Sequence, residues 1–302
     1  MAAISRAQQL KELLPGLHAL FGKEYAAYEN EHEQIYDTNT SDRSFEEETK
    51  LSLFGEAPTK TEGQAIDFDT AQESFTQRYD HETIALGFSI TEEAMEDNLY
   101  ESLSARYTKA LARSMNYTKQ VKAAAILNNG FTTYNTGDGV SLFNTAHPQV
   151  YGGTVSNRPA VGADLNETSL EAAIIQISDW TDERGLKIEA KERKLIIPTN
   201  LQFIARRVLQ SDLRPATADN DLNALKYQGN VPEGFAVNHY LTDPNAWFLK
   251  TDVMDGFKYF QRVALSQSMD GDFDTGNVRY KARERYSFGV SDYLGGWGTA
   301  GA

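Results

Sequence analysis

Thr83-Ile-Ala-Leu-Gly-Phe-Ser-Ile90, followed without a linker by Thr91-Glu-Glu-Ala94, decides how this chain is to be read. Ile84, Leu86, Phe88 and Ile90 alternate with Thr83, Ala85, Gly87 and Ser89, the period-two pattern of a strand with one buried face. Thr91 then offers a hydroxyl N-cap, and Glu92 and Glu93 place carboxylates at the positive end of a helix dipole. From Met95 the apolar positions recur at Leu99, Leu103, Tyr107, Leu111 and Met115, then at Thr118, Val121 and Ala125. Neither glycine nor proline interrupts them before Gly130. The pattern predicts a helix over 91–128, about 57 Å long at the standard rise, where globular helices average about 11–12 residues. Its one-sided stripe lays it across a body and not through a centre.

Upstream, the stretch from Glu29 to Asp80 holds only four aliphatic core residues, Ile35, Leu51, Leu53 and Ile66, with spaced aromatics between them. So little apolar surface does not offset the ordering entropy of such a length, which points to an arm completed by a neighbouring molecule. Its first part, Glu29–Glu48, carries eight carboxylates and one arginine, Arg43. Beyond it, strand-like residues flank a turn-rich tip at Gly55–Gly63, the outline of a long hairpin. Before it, Arg6–Phe21 reads as a short helix interrupted at Pro15-Gly16.

Downstream, turn formers dominate 131–165. Thr168-Ser-Leu-Glu171 reads as a capping box opening a helix that ends near Arg184-Gly185. A strand at Lys194–Ile197, a helix at Asn200–Leu209 and strands at Phe235–Leu241 and Ala246–Leu249 suggest an α+β or α/β subdomain over about 145–262. The tail from Phe257 is strand-rich. In it, Arg279, Lys281, Arg283 and Arg285 share one strand face, and Tyr280, Ala282, Glu284 and Tyr286 the other. That basic row fits a solvated face, a guarded sheet edge, or a contact with the acidic arm or the Glu92/Glu93 helix start of an adjacent copy. The whole is an α+β chain.

Chemistry-bearing motifs are sparse. Lys and Arg total 29 against 43 Asp and Glu, a formal net charge of −14, which disfavours a sequence-specific DNA binder. There is no cysteine, and no apolar run of the roughly 20 residues a membrane helix needs. The N-terminus lacks the apolar core of a signal peptide. The five histidines are scattered: His32-Glu33 has Tyr36 where a zinc motif needs its second histidine. Asp270-Gly-Asp-Phe-Asp-Thr-Gly276 begins like a calcium loop, but Thr275 replaces the glycine and Lys281 the terminal glutamate, so a solvated turn is preferred. No phosphate loop or nucleophile elbow occurs. We therefore expect no cofactor, no metal site and no enzyme; a hydrolase using paired carboxylates is the alternative from another class, although no pair can be named.

The order of parts resembles the major capsid proteins of tailed bacteriophages, of the Hong Kong 97-type fold, with wording closest to the Mu-like major head subunit group. The residues that carry this are Leu14-Pro-Gly-Leu17, Ala85–Glu93, Leu142-Phe-Asn-Thr-Ala-His-Pro148, Arg214–Asn220, Met269–Asn277 and Arg285-Tyr-Ser-Phe-Gly289. The resemblance implies an N-terminal arm (1–40), an extended loop over the next subunit (41–88) and a peripheral domain (89–144) with spine helix 91–128. It further implies an axial domain (145–262) and a return to the peripheral domain (263–302). Such a subunit forms hexamers and pentamers of an icosahedral shell around packaged double-stranded DNA, without gripping its sequence. The shell is assembled in the host bacterial cytoplasm and needs no membrane. A scaffold protein, a portal and a decoration protein are the expected partners. Lys50 and Lys60 lie in the loop, yet the asparagine and glutamate needed for a crosslink find no matching motif, so a noncovalent shell is expected. The expected intersubunit contacts are Arg43, Glu46, Glu47, Lys50, Lys60, Glu62, Glu92, Glu93 and the row Arg279, Lys281, Arg283 and Arg285. A tail-tube or decoration protein is a further alternative, against which the long helix argues.

Overall fold

The computed structural model describes residues 6–91, 93, 100–213, 221–272 and 276–302. Helix α1 (Arg6–Tyr25) runs through Pro15-Gly16, where the sequence predicted a break. Leu17 and Phe21 on its second half pack against Leu111, Ala112 and Met115, a tertiary contact that outweighs a local breaker. After a 3-10 turn at Glu31–Gln34 come β1 (Asp37–Thr40), β2 (Phe45–Ser52), β3 (Gln72–Asp80) and β4 (Glu82–Ile90). The long helix is α2 (Tyr100–Asn128), 29 residues and about 43 Å. Its expected start, with Glu92 and the apolar positions Met95 and Leu99, lies outside the described residues, as do Arg214–Asn220 and the centre of the 270–276 turn. There follow β5 (His147–Pro148), β6 (Thr154–Val155), α3 (Glu167–Ser178), β7 (Glu192–Ile197), α4 (Gln202–Gln210), α5 (Ala224–Gln228), β8 (Phe235–Val237) and β9 (Trp247–Thr251). The chain closes with β10 (Phe257–Gly271), β11 (Val278–Val290) and β12 (Gly296–Thr299).

Two four-stranded sheets organise these elements, in the orders β1-β10-β11-β4 and β12-β9-β7-β8. In the first, β1 runs parallel to β10 and the other pairs are antiparallel. Helices α1 and α2 cover the face of that sheet which presents Tyr280 and Ala282. The hairpin β2–β3 forms a separate two-stranded ribbon with a tip at 53–71. β12 pairs with β9, so the chain end belongs to the second sheet, while β10 in the first sheet already begins at Phe257. One continuous core spans both sheets, from Ile35 and Tyr36 through Leu127 and Phe143 to Trp247, Phe257 and Trp297.

Three local expectations need correction. The arm is not unpacked throughout: Ile35 and Tyr36 are buried, the Tyr36 hydroxyl donates to the Ala123 carbonyl at 2.7 Å, and β1 is a sheet strand. The buried face of α2 is not the expected stripe either, because Tyr107 and Val121 are exposed and Thr108, Asn116, Lys119 and Gln120 are buried instead. A strict four-residue step advances 400° and drifts around a 3.6-residue helix, whereas the mixed three- and four-residue steps through the buried Thr108, Leu111, Met115, Lys119, Ala123 and Ile126 hold one side. Finally, α3 is capped by Asn166 and not by Thr168. The Asn166 side chain accepts from the Ser169 N–H at 2.9 Å, the Ser169 hydroxyl accepts from the Asn166 N–H at 3.0 Å, and the helix ends at Ser178, before Arg184.

Candidate assembly interface

Charge fixes the root of the β2–β3 hairpin to the body. Every second side chain of β2 points toward the turns at 182–184, 253–255 and 291–293. Glu48 accepts from Lys258 at 2.5 Å and from the Ser291 hydroxyl, and Lys258 also reaches Asp255 at 2.6 Å. Burial alone lowers an ammonium pKa, but hydrogen bonds from Lys258 to Asp255 and Glu48 outweigh it and raise this one. Two residues on, Lys50 sits between Asp292 at 3.0 Å and Glu183 at 3.4 Å, 4.5 Å above the Tyr293 ring. On the returning side, Arg184 donates to Asp69 at 2.9 Å and to the Thr70 carbonyl at 2.8 Å while lying 4.0 Å from the Tyr151 ring. Asp69 also accepts from the Gly55 N–H at 2.9 Å, which closes the neck of the loop; that hydrogen bond and the one from the Thr70 N–H depress its pKa. Beside the root lies a cavity of about 390 Å³, walled by Leu51, Leu53, Ile188, Val253 and Met254.

At the neck and past it the loop is bare. Leu53, Phe54, Ile66 and Phe68 are all more than half exposed, Phe68 at 95%. Lys60 and Glu62 are exposed on the same tip. The segment 53–73 carries five carboxylates and one lysine, a local negative charge beside apolar side chains.

The basic row lies on the uncovered face of the first sheet. Burial alternates along β11, with Arg279, Lys281 and Arg283 exposed and Tyr280, Ala282 and Glu284 buried. The flanking strands set small side chains beside it: Ser89, Gly87 and Ala85 on β4, and Ser268 and Ser266 on β10. The cations therefore form a ridge with a step of about 6.8 Å. Arg279 pairs with Asp272 at 2.7 Å. Arg285 turns inward, donating to the carbonyls of His81 at 3.3 Å and Ser44 at 3.4 Å.

The expected contact residues thus fall into two groups. Held within their own chain are Lys50, Arg285, Glu46, which accepts from the Ser41 hydroxyl at 2.6 Å, and Glu47, 3.6 Å from Arg78 across the hairpin. Exposed are Arg43, Lys60, Glu62, Glu93, Lys281 and Arg283, and Arg279 is exposed while paired with Asp272. Residues that sequence reasoning missed include Glu48, Arg184, Lys258 and Asp292, whose partners lie more than 100 positions away. It also missed Lys119 of α2, whose ammonium meets Glu284 of β11 at 2.6 Å, with both side chains buried beneath Tyr25. Glu284 on an otherwise apolar strand face was the available signal.

A second buried network pins the segment after α2. The Asn157 amide donates to the carbonyls of Leu142, Tyr293 and Gly296, at 2.7, 3.0 and 3.2 Å. Its Oδ1 therefore accepts, from the Asn144 N–H at 2.9 Å and from His147 Nε2 at 3.1 Å. His147 Nδ1 faces Asp138 at 2.6 Å, and the ring stacks on Tyr293. Burial raises the Asp138 pKa, but its hydrogen bonds with His147 and Thr136 outweigh burial and leave it lowered.

A family model described as phage capsid protein matches residues 73–298. No curated protein sequence matches the chain. The fold is similar to that of the virus-like particle from Pyrococcus furiosus, with TM-score 0.55 and 9% identity over 95% of this chain and 99% of that one. It is also similar to the capsid of Myoviridae phage XM1, with TM-score 0.53 and 12% identity over 89% of each chain. The capsid of cyanophage P-SCSP1u gives TM-score 0.57 and 10% identity over 89% of this chain and 86% of that one.

Proposed function

Since the chain belongs to the phage capsid protein family, a structural and not an enzymatic one, we propose that it closes a head through loop-to-sheet contacts between its copies. It is a major capsid subunit and a component of the virion shell. In our reading the copies form hexamers and pentamers around packaged double-stranded DNA, with residues 41–88 as the loop that overlaps the next subunit. Residues 89–144 and 263–302 would form the peripheral part and 145–262 the axial part, with β12 bridging to the latter. The Mu-like head subunit group is the subgroup we favour, on the motifs quoted above. A scaffold protein, a portal and a decoration protein are the partners we infer, and assembly would take place in the bacterial cytoplasm.

The observation that carries this reading is the contrast along one loop. Its root is fastened by Lys50, Lys258 and Arg184, while its tip leaves Phe54, Ile66 and Phe68 in solvent. A monomer rarely spends ordered chain on exposed aromatics, and a neighbour that covers them recovers that surface. The acidic tip and the ridge of Arg279, Lys281 and Arg283 are complementary in sign, which favours register over raw affinity. The exposed Arg43, Glu62, Lys60 and Glu93 are further candidate contacts.

The test is light scattering and negative-stain microscopy on the chain alone and with its scaffold, for wild type and Arg283→Glu. Shells or capsomers from wild type, and folded but unassembled Arg283→Glu subunits, are expected. Normal particles from Arg283→Glu would sink the ridge contact; a strictly monomeric wild type under both conditions would sink the assembly mode.

A further inference from the structure

Residues 104–128 of α2 contain five cations and no carboxylate, in a chain whose formal net charge is −14. Two of the five are engaged: Lys119 pairs with buried Glu284, and Lys122 with Glu82. The other three, Arg106, Lys109 and Arg113, are exposed and form no ion pair among the described residues. Their three- and four-residue spacing puts them on one side of the helix, opposite Leu111, Ala112 and Met115, which pack toward the sheet. Tyr107 and Tyr117 stand exposed beside them. A groove of about 430 Å³ between this face and the end of α1 is lined by Lys109, Arg113, Tyr28 and Tyr117, with Glu24 its one carboxylate.

This is a local reversal of sign. It lies on the helical layer of the body, on the side away from the β11 ridge. Its chemistry suits a polyanion better than an acidic peptide. Among the described residues of α2 the exposed large hydrophobic side chains are Tyr107, Tyr117 and Val121, two of them carrying hydroxyl groups. A peptide would thus find charge without apolar anchor pockets. From Arg106 to Arg113 the helix rises about 10 Å, a length over which duplex DNA presents about six phosphates.

We propose that the outer face of α2 is a sequence-independent contact surface for the phosphate backbone of duplex DNA, made by Arg106, Lys109 and Arg113. The choice of duplex DNA as the polyanion rests on the capsid reading, because that is what a head encloses. Each bound phosphate releases counterions, so three contacts give a log–log slope of affinity against salt of about −2.7.

The test is fluorescence anisotropy of a short mixed-sequence duplex titrated with the full-length, unassembled chain. Measuring before assembly lets the result stand independently of whether shells form. Affinity is expected to fall by about 40-fold between about 50 and about 200 mM salt. The triple variant Arg106→Gln/Lys109→Gln/Arg113→Gln, with wild-type circular dichroism and melting, should lose most of that slope. Arg279→Gln/Lys281→Gln/Arg283→Gln should keep it. Equal binding by wild type and the α2 variant would overturn the proposal, as would loss of the slope in the β11 variant alone. Tighter wild-type binding of a poly-glutamate peptide than of the duplex would also overturn it, and would reassign the face to an acidic protein segment.

Discussion

Removing Lys119 should unfold the two-layer body far more readily than any surface charge change, and acid should partly reverse the damage. The Lys119 ammonium lies 2.6 Å from Glu284 and 2.7 Å from the Tyr25 hydroxyl, with the rings of Tyr286 and Tyr25 at 5.3 and 5.4 Å. The pair joins α2 to β11 at side-chain exposures of 7% and 1%, so solvent does little to screen it. Deleting one member of such a pair leaves an uncompensated buried charge and costs about 3–5 kcal/mol. At about 2–4 °C per kcal/mol, Lys119→Met should melt roughly 6–20 °C below wild type at neutral pH. Burial raises the pKa of Glu284 above its ordinary 4.5, and Lys119 only partly offsets this. A group with a raised folded pKa gives stability that is fully present below its unfolded pKa and lost as pH rises through the folded one. Without Lys119 that rise is larger, so the deficit of Lys119→Met should be greatest at neutral pH and shrink as pH approaches 4.5. Replacing both partners, as Lys119→Met/Glu284→Leu, should restore wild-type melting within about 1 kcal/mol or exceed it. Circular dichroism melts across that pH range decide the matter. Lys119→Met melting with wild type at neutral pH would refute the reasoning, and so would a double variant as unstable as the worse single one.

Three other expectations follow from the fastened loop and the packed core. Arg184→Ala should leave the main melting transition close to that of wild type, because solvent reaches Asp69 and screens the pair. It should nevertheless speed proteolysis within 53–71, and an unchanged cleavage rate would count against the clamp. Gly289→Ala places a Cβ into the ring of Tyr79 and 2.9 Å from the Tyr134 hydroxyl, and should cost about 1–3 kcal/mol in a urea titration; no shift of the midpoint would mean that β3 yields freely. Asp138→Asn should lose about 1–3 kcal/mol by replacing the carboxylate that faces His147 Nδ1 at 2.6 Å. Because the Asp138 pKa is depressed, its contribution is present above 3.8 and lost only as pH falls through the lower folded value, so the deficit should hold through mildly acidic pH. A gap already closed at pH 5 contradicts that sign.

What was legible in the sequence was whatever repeats with a fixed period. The alternation in 83–90 gave β4, the alternation in 279–286 gave the two faces of β11, and the gap between Met95 and Gly130 gave the long helix. Harder to read were choices between near-equivalent local options. Asn166 and Thr168 can each cap a helix, and the winner was set by which hydroxyl could answer the cap's own N–H. Pro15 disfavours a helix locally, yet Leu17 and Phe21 gain enough by packing on α2 to carry the helix through it. The acidic arm looked starved of core because the reading counted aliphatics and gave no weight to Tyr36, which enters the core edge-on to Phe257 and Phe288. Out of reach were the pairs that fasten the loop, because Lys50–Asp292 and Glu48–Lys258 join positions more than 200 residues apart and follow no period.

The loop's chemistry changes where its partner changes. At the root the partner is the chain itself, always present at fixed geometry, and three cations bridging to carboxylates set direction at little net cost in stability. Apolar contacts there would tolerate sliding, and a loop that slides by one residue turns every side chain over. At the tip, in the proposed assembly, the partner is absent until subunits meet, and large apolar side chains are left exposed among the carboxylates. Covering Leu53, Phe54, Ile66 and Phe68 is worth roughly 1.5–3 kcal/mol each in gross transfer energy. Ordering the tip and the docking surface takes back a part of that. Each loop contact would then be weak alone, so a misplaced subunit could leave before its other contacts form. A shell would gain its strength from the number of such contacts. Charge at the root and apolar surface at the tip therefore divide aiming from holding, and they make a testable distinction: raising salt should loosen the orientation of the loop on its own subunit and the charge register of the acidic tip, while the apolar part of the tip contact persists.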